Sequence, residues 1–368
     1  MQKTIKQSCF LLSSDNYQNA NIRKYLYDSL NLSFSKVYSV GDFRTGLFQH
    51  EIFWKRASKR NNPFMEVILF LRLIFIFLKY NPSHVISFSP KVNIYAGLIA
   101  RVLFIKHIPV ISGLGRDQHK FESSNSFHQI LLKIALSRAN AIVTMNKSNY
   151  DFFKKIFTPR HLLLIPSEAF DHERCEQLKK DYNDIQVFYI SRIVPEKGIL
   201  LLLEAFNEIL KEHPKAVLNI AGYMALREGS YEKNIFNEFI EKENINYHGV
   251  VTNEFKQNLF DQSTIFAFPS AYGEGLPMVL LESQASKCLT VTTKLPGCSD
   301  SLAPEMEKYL CSYSKKSLLR SMLIAINTPS EEAELICEEA KSWVLKNHNS
   351  KKVLRLYMDF FRTSGFIN

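Results

Sequence analysis

The chain has 368 residues, 46% of them hydrophobic, enough for about two domains with sizeable cores and too apolar for wholesale disorder. Its net charge of +10 is uneven: residues 1–180 hold 26 Lys and Arg against 12 Asp and Glu, and the remainder 20 against 24. The first half, at +14, calls for an anionic partner such as a phosphate-bearing acceptor, an anionic membrane face or nucleic acid.

Six scattered cysteines, with no Cys-x-x-Cys pair and no histidine cluster, exclude a zinc site or a disulfide framework and fit a reducing cytosol. The opening "MQKTIK" is polar and the "CFLL" run is too short for a signal-peptide core.

In chain order, "CFLLSS", "KVYSVG", "HVISFS", "IPVISG", "AIVTMN" and "LLLIPS" read as strands, with helical patterns between them at 19–30, 63–79 and 127–137. The longest apolar stretch, Phe64–Tyr80, is broken by Glu66 and Arg72. It is shorter than the ~20 residues a span needs. It reads as a core helix, or as one resting in a membrane interface beside the basic "FWKRASKR" at Phe53–Arg60. The second half repeats the rhythm with "QVFYIS", "AVLNIAG", "INYHGVV", "TIFAFPS" and "CLTVTT", and with helices near 199–212, 231–242 and 277–286. Apolar strands alternating with amphipathic helices give an α/β chain of two doubly wound parallel-sheet domains facing a cleft. The expected divisions are a first domain at 1–167, a polar linker at 168–186, a second domain at 187–345, and a closing helical segment, 346–368, able to pack back on the first domain.

Three stretches carry candidate chemistry. In "YISRIVPEKGILLLLEAF" a strand feeds a loop holding Arg192 and Lys197, then Gly198 and a helix; two cations near free N–H groups suit a diphosphate. In "SAYGEGLPMVLLESQAS" the loop after "TIFAFPS" holds Gly273, Glu274 and Gly275. Pro277 suits a first helical turn there, and Glu282 lies further along that helix. Carboxylates accept two hydrogen bonds each, so Glu282 suits ribose hydroxyls and Glu274 those of a sugar. In "SGLGRDQHKF" the glycine loop with Gly113, Gly115, Arg116, His119 and Lys120 suits an acceptor phosphate, although it is neither a Walker loop nor Gly-x-Gly-x-x-Gly.

"SRIVPEKG" followed by "PSAYGEGLPMVLLESQAS" resembles the retaining GT-B glycosyltransferases of family 4. Their Glu-x7-Glu mark is met by Glu274 and Glu282, and their phosphate-loop Arg and Lys by Arg192 and Lys197. The resemblance implies that Glu274 contacts the donor sugar, that Glu282 holds the ribose, and that Arg192 and Lys197 neutralise the diphosphate. Gly275, Leu276, Pro277 and Gly222 fall on the same donor side. "FSPKVNIYAGLIAR", "PVISGLG", "IVTMNKSNYDFF" and "LPGCSD" look like the subgroup that builds capsule, O-antigen or lipid-linked oligosaccharides. The chain departs from many relatives at "SSDNYQNANIR", which lacks paired glycines, at "SGLG", where some carry a histidine, and at "PSEAFD", which replaces a "GVD"-like turn.

The expected activity is transfer of a hexosyl or N-acetylhexosaminyl group, with retention, from a UDP-linked sugar to a lipid-linked or glycan acceptor. The expected place is the cytoplasmic face of the inner membrane, held through its anionic surface. Without an Asp-x-Asp motif or a ligand cluster, no metal or cofactor is expected. A nucleotide-sugar epimerase would share the fold but would not use the basic half. A transferase with a soluble acceptor would keep the donor site. A nucleic-acid module lacks any recognition motif here and leaves the acidic half unexplained.

Overall fold

The computed structural model describes residues 7–12, 26–27, 30–41, 49–54, 63–111, 113, 127–156, 162–165 and 179–363. The chain divides into two compact units, Met1–Ala169 with Ser350–Asn368, and Phe170–Asn349.

Among the described residues, the first unit holds a sheet of seven strands: β1 (Ser8–Leu12), β2 (Lys36–Gly41), β3 (Glu51–Phe53), β4 (His84–Phe88), β5 (Lys106–Ile111), β6 (Ile142–Thr144) and β7 (Leu162–Leu164). Their order is β3-β2-β1-β4-β5-β6-β7, and every pair is parallel. The second unit holds β8 (Gln186–Ile190), β9 (Val217–Ala221), β10 (Ile245–Tyr247), β11 (Ile265–Phe268), β12 (Leu289–Thr293) and β13 (Leu310–Cys311). Their order is β10-β9-β8-β11-β12-β13, again all parallel. Both sheets reverse their strand order beside their first strand, at β1/β4 and at β8/β11, which is where doubly wound sheets open for ligands.

The central strands are apolar on both faces because helices cover both; β4 and β11 are buried along their whole length. The helix Ile199–Glu212 buries Ile199, Leu202, Leu203, Phe206 and Ile209, the spacing of one helical face, against that sheet. Phe188 packs edge-on to Phe260 and to Phe266 at its centre, with ring centres 4.9 and 5.9 Å away. Ser230 and Thr252 cap the helices Tyr231–Ile240 and Asn253–Gln262, each accepting from a backbone N–H at 3.2 Å.

Two sequence expectations need correction. The polar linker does not run to 186: Gln186 opens β8, and Tyr182 is buried in the second unit's core, its hydroxyl donating to Lys287 O at 3.0 Å. A single aromatic in a polar stretch anchors it there. The edge strands β3 and β13 were not expected, being three and two residues long with no alternation to display. The last helix, Ser350–Thr363, packs within the first unit, where Ser33 Oγ contacts Met358 Sδ at 3.5 Å and Phe34 meets Phe361.

A buried polar group crosses the first sheet. Ser87 Oγ donates to Asn93 Oδ1 (2.7 Å), Asn93 Nδ2 donates to Val110 O (3.2 Å), and His107 Nε2 lies 2.8 Å from Ser87 Oγ. The single hydroxyl proton of Ser87 goes to Asn93, so His107 donates to Ser87 and its Nδ1 is a buried acceptor without a partner. Burial pushes the His107 imidazole down to about 3. The unfolded chain therefore takes up a proton as pH falls below the ordinary value of 6.5, whereas the folded chain does not until about 3. Stability from this group is full above that upper value and is lost as pH falls. Between pH 7 and 5 the wild type should lose about 2 kcal/mol more in a denaturant titration than His107→Gln does. Equal losses would remove His107 as the cause.

Candidate active site

Two loops leave the carboxyl ends of β8 and β11, the neighbours at the reversal of the second sheet. After β8 the chain passes Arg192 and the buried Ile193, which bridges to Met224 beyond β9. Pro195–Lys197 then form a single tight turn, with proline at the start where no N–H is needed. Gly198 follows at φ +75°. A Cβ there would stand 1.9 Å from the carbonyl oxygen of Pro269, just past β11. Only glycine allows this approach. Ala271 N donates to Glu196 O at 2.8 Å, tying the two loops a second time. Tyr189 OH donates to Lys197 O at 3.2 Å, and burial keeps that phenol protonated by pushing its pKa far up.

The close approach brings Lys197 to Glu274. The ammonium pairs with Glu274 Oε1, and both side chains are largely buried. Ser270 Oγ donates to the same oxygen at 2.8 Å. The Lys197 ammonium also lies 5.5 Å from the ring centre of Phe268 and 5.1 Å from that of Tyr272, within cation–π range. From the other side Gly297, at φ +82°, lies against this loop: a Cβ would stand 2.3 Å from Glu274 O and 2.8 Å from Gly275 O. Thr292 and Thr293 donate to Phe268 O (2.7 Å) and Ser270 O (2.5 Å). Cys298, next to Gly297, is pushed up to about 12 by burial, with Glu274 adding to the shift, so it is a packed thiol rather than a nucleophile.

Arg192 is exposed and has no hydrogen bond or ion pair among the described residues. Gly222, at φ +129°, has an architectural role: a Cβ would stand 1.7 Å from Ser191 O, and its N–H donates to Gly249 O at 2.7 Å. It therefore holds the loop after β9 against the start of the Arg192 loop. Gly275 is buried, and the Leu276 side chain packs against Leu281, Ala285 and Val344. Pro277 caps the helix rather than standing in its first turn, which begins at Met278.

Glu282, on the helix Met278–Ala285, is not on a solvated face. Lys256 pairs with its Oε1 at 2.7 Å, and its Oε2 is buried without a hydrogen-bond partner. A carboxylate oxygen withdrawn from water and lacking a donor is costly unless a ligand supplies one. Glu274 and Glu282 are thus each held by a separate lysine. Of the residues expected on the acceptor side, Gly113 lies just past β5 in the first unit; Gly115, Arg116, His119 and Lys120 are outside the described residues. Among the described residues no group of three or more His, Cys, Asp or Glu is placed to hold a metal ion.

Sequence reasoning missed Ser270, Gly297 and Lys256. Gly297 left a signal, a glycine after proline in "LPGCSD", but no role follows from it. Lys256 sits on a polar helix, and nothing local tells it from a solvated lysine.

Residues 171–343 match the family model for glycosyl transferases group 1. That match lies within the second unit. Over 260 residues the chain is 22% identical to the uncharacterized glycosyltransferase YqgM of Bacillus subtilis (strain 168), covering 68% of this chain and 69% of the relative. It is 26% identical over 262 residues to the capsular polysaccharide biosynthesis glycosyltransferase CapM of Staphylococcus aureus, covering 65% of this chain and 66% of that one. The crystal structure of Anabaena Alr3699/HepE in complex with UDP superposes with a TM-score of 0.76 at 12% identity, over 97% of this chain and 100% of that one. The two parallel-sheet α/β units have the GT-B fold.

Gly198 and Gly229 allow a direct comparison, since φ is +75° at one and +74° at the other, but nothing lies within 4 Å of a Cβ at Gly229. Gly229→Ala should cost about 1–2 kcal/mol for the left-handed backbone alone. Gly198→Ala should cost roughly 1–3 kcal/mol more, because the Pro269 carbonyl must move. Chemical denaturation of the two variants measures the difference. Equal costs would mean that the approach of the two loops is not a tight constraint.

Proposed function

We propose that the chain is a retaining, metal-independent glycosyltransferase of family 4. It transfers a hexosyl or N-acetylhexosaminyl group from a UDP-linked sugar to a lipid-linked or polysaccharide acceptor in bacterial surface-glycan biosynthesis, at the cytoplasmic face of the inner membrane. The observation that carries this reading is the Lys197–Glu274 pair, largely buried at the carboxyl ends of β8 and β11. Departure of a nucleoside diphosphate leaves negative charge that needs preorganised cations, and a fixed lysine supplies one without metal. Arg192, on the same loop and without a partner of its own, is the second.

Without ligand, Glu274 occupies Lys197. A bound diphosphate competes for the ammonium and frees a carboxylate oxygen for the hydroxyls of the sugar. Glu282 Oε2 has the unmet acceptor capacity that a ribose hydroxyl fills. Its partner Lys256 neutralises the other oxygen, so the carboxylate is held in place before the nucleotide arrives. Capsular polysaccharide biosynthesis in the name of CapM supports the surface-glycan assignment, and structures of Alr3699/HepE with UDP and with UDP-glucose support the donor class. The acceptor belongs on this reading to the basic first unit, through the loop of Gly113 and its neighbours.

A mass-spectrometric screen of nucleotide sugars against a membrane lipid extract tests the reading. Glu274→Gln keeps the shape and an acceptor for Ser270, and should still lower turnover by roughly a hundredfold. Glu282→Gln should chiefly raise the KM for the donor. EDTA should leave the rate unchanged. Turnover near wild type in both variants, or loss with EDTA that magnesium or manganese restores, would overturn the assignment.

A further inference from the structure

The helices Lys315–Ile326 and Ser330–Asn347 follow one another in the second unit and leave opposite charges unpaired. The first carries Lys315, Lys316 and Arg320 and no acid. Glu208 takes Lys315 at 2.9 Å. Lys316 and Arg320 are exposed and have no hydrogen bond or ion pair among the described residues. The second helix buries Ala333, Ile336, Cys337 and Ala340 in the core of its unit and turns Leu335 outward, 60% exposed. Glu331, Glu332, Glu338 and Glu339 stand three and four positions to either side of Leu335, which makes them its neighbours on the helix surface. One leucine is thus encircled by acids. Glu332 is bonded to Lys308 and Glu338 to Lys287, whereas Glu331 and Glu339 have no such partner among the described residues.

Beside this circle lies its converse. A cavity of about 570 Å³ has Leu319, Leu323 and Ile324 in its wall and Lys308, Lys316 and Arg320 as its cations. Glu332 also lines it, so the acidic circle and the cavity meet at the Lys308–Glu332 pair. Leu335 stands about 5 Å along the helix from Glu332. A single exposed leucine is ordinary on a protein surface. A leucine among acids next to an apolar hollow among cations is self-complementary. A two-fold axis lying in the surface between them sets each leucine over the hollow of a second copy, with acids against cations at both contacts. We propose that the chain pairs with a second copy of itself through this face, Leu335 of each copy entering the cavity of the other and Glu331 and Glu339 meeting Lys316 and Arg320. Two short helix faces fall at the small end of specific interfaces, so the pair is reversible, with a Kd on the order of micromolar. The inference uses no residue of the donor-side site and stands apart from the transfer reading.

Sedimentation velocity on the full chain, from about 1 to 100 micromolar and at low and molar salt, tests it. The wild type should pass from monomer to dimer as concentration rises at low salt, and the dimer should weaken at molar salt. Leu335→Ser should weaken it by roughly tenfold or more. Lys316→Glu with Arg320→Glu sets acids against acids, and Glu331→Lys with Glu339→Lys sets cations against cations, so each of these chains alone should stay monomeric. Mixed together they should pair again, because both contacts then join opposite charges. All five side chains are exposed, so the circular dichroism melts should match wild type. A wild type that is monomeric at every concentration, a dimer that none of the variants weakens, or a mixture of the charge-reversed chains that stays monomeric would overturn the proposal.

Discussion

Gly198 lies against the carbonyl of Pro269, and the Lys197–Glu274 pair depends on that contact. A side chain at Gly198 would collide with the end of β11. Without one, the turn after β8 settles on the strand end beside it, and Lys197 is delivered to Glu274. Gly297 repeats the device from the far side, with its backbone on the carbonyls of Glu274 and Gly275. Loops are ordinarily the mobile part of a doubly wound sheet. Here three of them are fixed by backbone-on-backbone approaches, so a charged pair is held out of water in a defined geometry. The cost of withdrawing the two charges is offset by their pairing, by Ser270, and by the Phe268 and Tyr272 rings.

Much of this was legible in the sequence, for reasons that are local. "QVFYI" and "IFAF" are unbroken apolar runs because both faces of a central strand are covered, and the helix 199–212 shows its buried side at helical spacing. Arg192, Lys197 and Glu274 could be named because they stand in loops at strand ends, and Glu282 because it follows Glu274 at the Glu-x7-Glu spacing. What could not be read were the contacts between distant segments. Lys197 and Glu274 are 77 positions apart, and Lys256 meets Glu282 across 26. The pairing of each glutamate with its own lysine follows from strand order, which periodicity does not encode. The same limit left Pro63–Tyr80 open between a core helix and one resting in a membrane interface: only packing shows which face the sheet leaves uncovered.

The charge asymmetry of the chain follows its two units. The acidic, tightly packed second unit carries the family match and the paired glutamates. In the basic first unit the sheet encloses the neutral His107 network rather than a cluster of charges.

The central claim is that the Lys197 loop is the diphosphate site. Calorimetric titration with UDP tests it most directly, using wild type, Lys197→Met and Arg192→Met. Losing one charge-assisted partner should weaken binding by about 1.5–3 kcal/mol, roughly ten- to hundredfold, in each variant. UDP should bind uridine-containing competitors' site with far higher affinity than uridine itself in the wild type, and that advantage should shrink in both variants. Wild-type affinity for UDP in Lys197→Met and in Arg192→Met alike would contradict the account, because the diphosphate would then lie elsewhere.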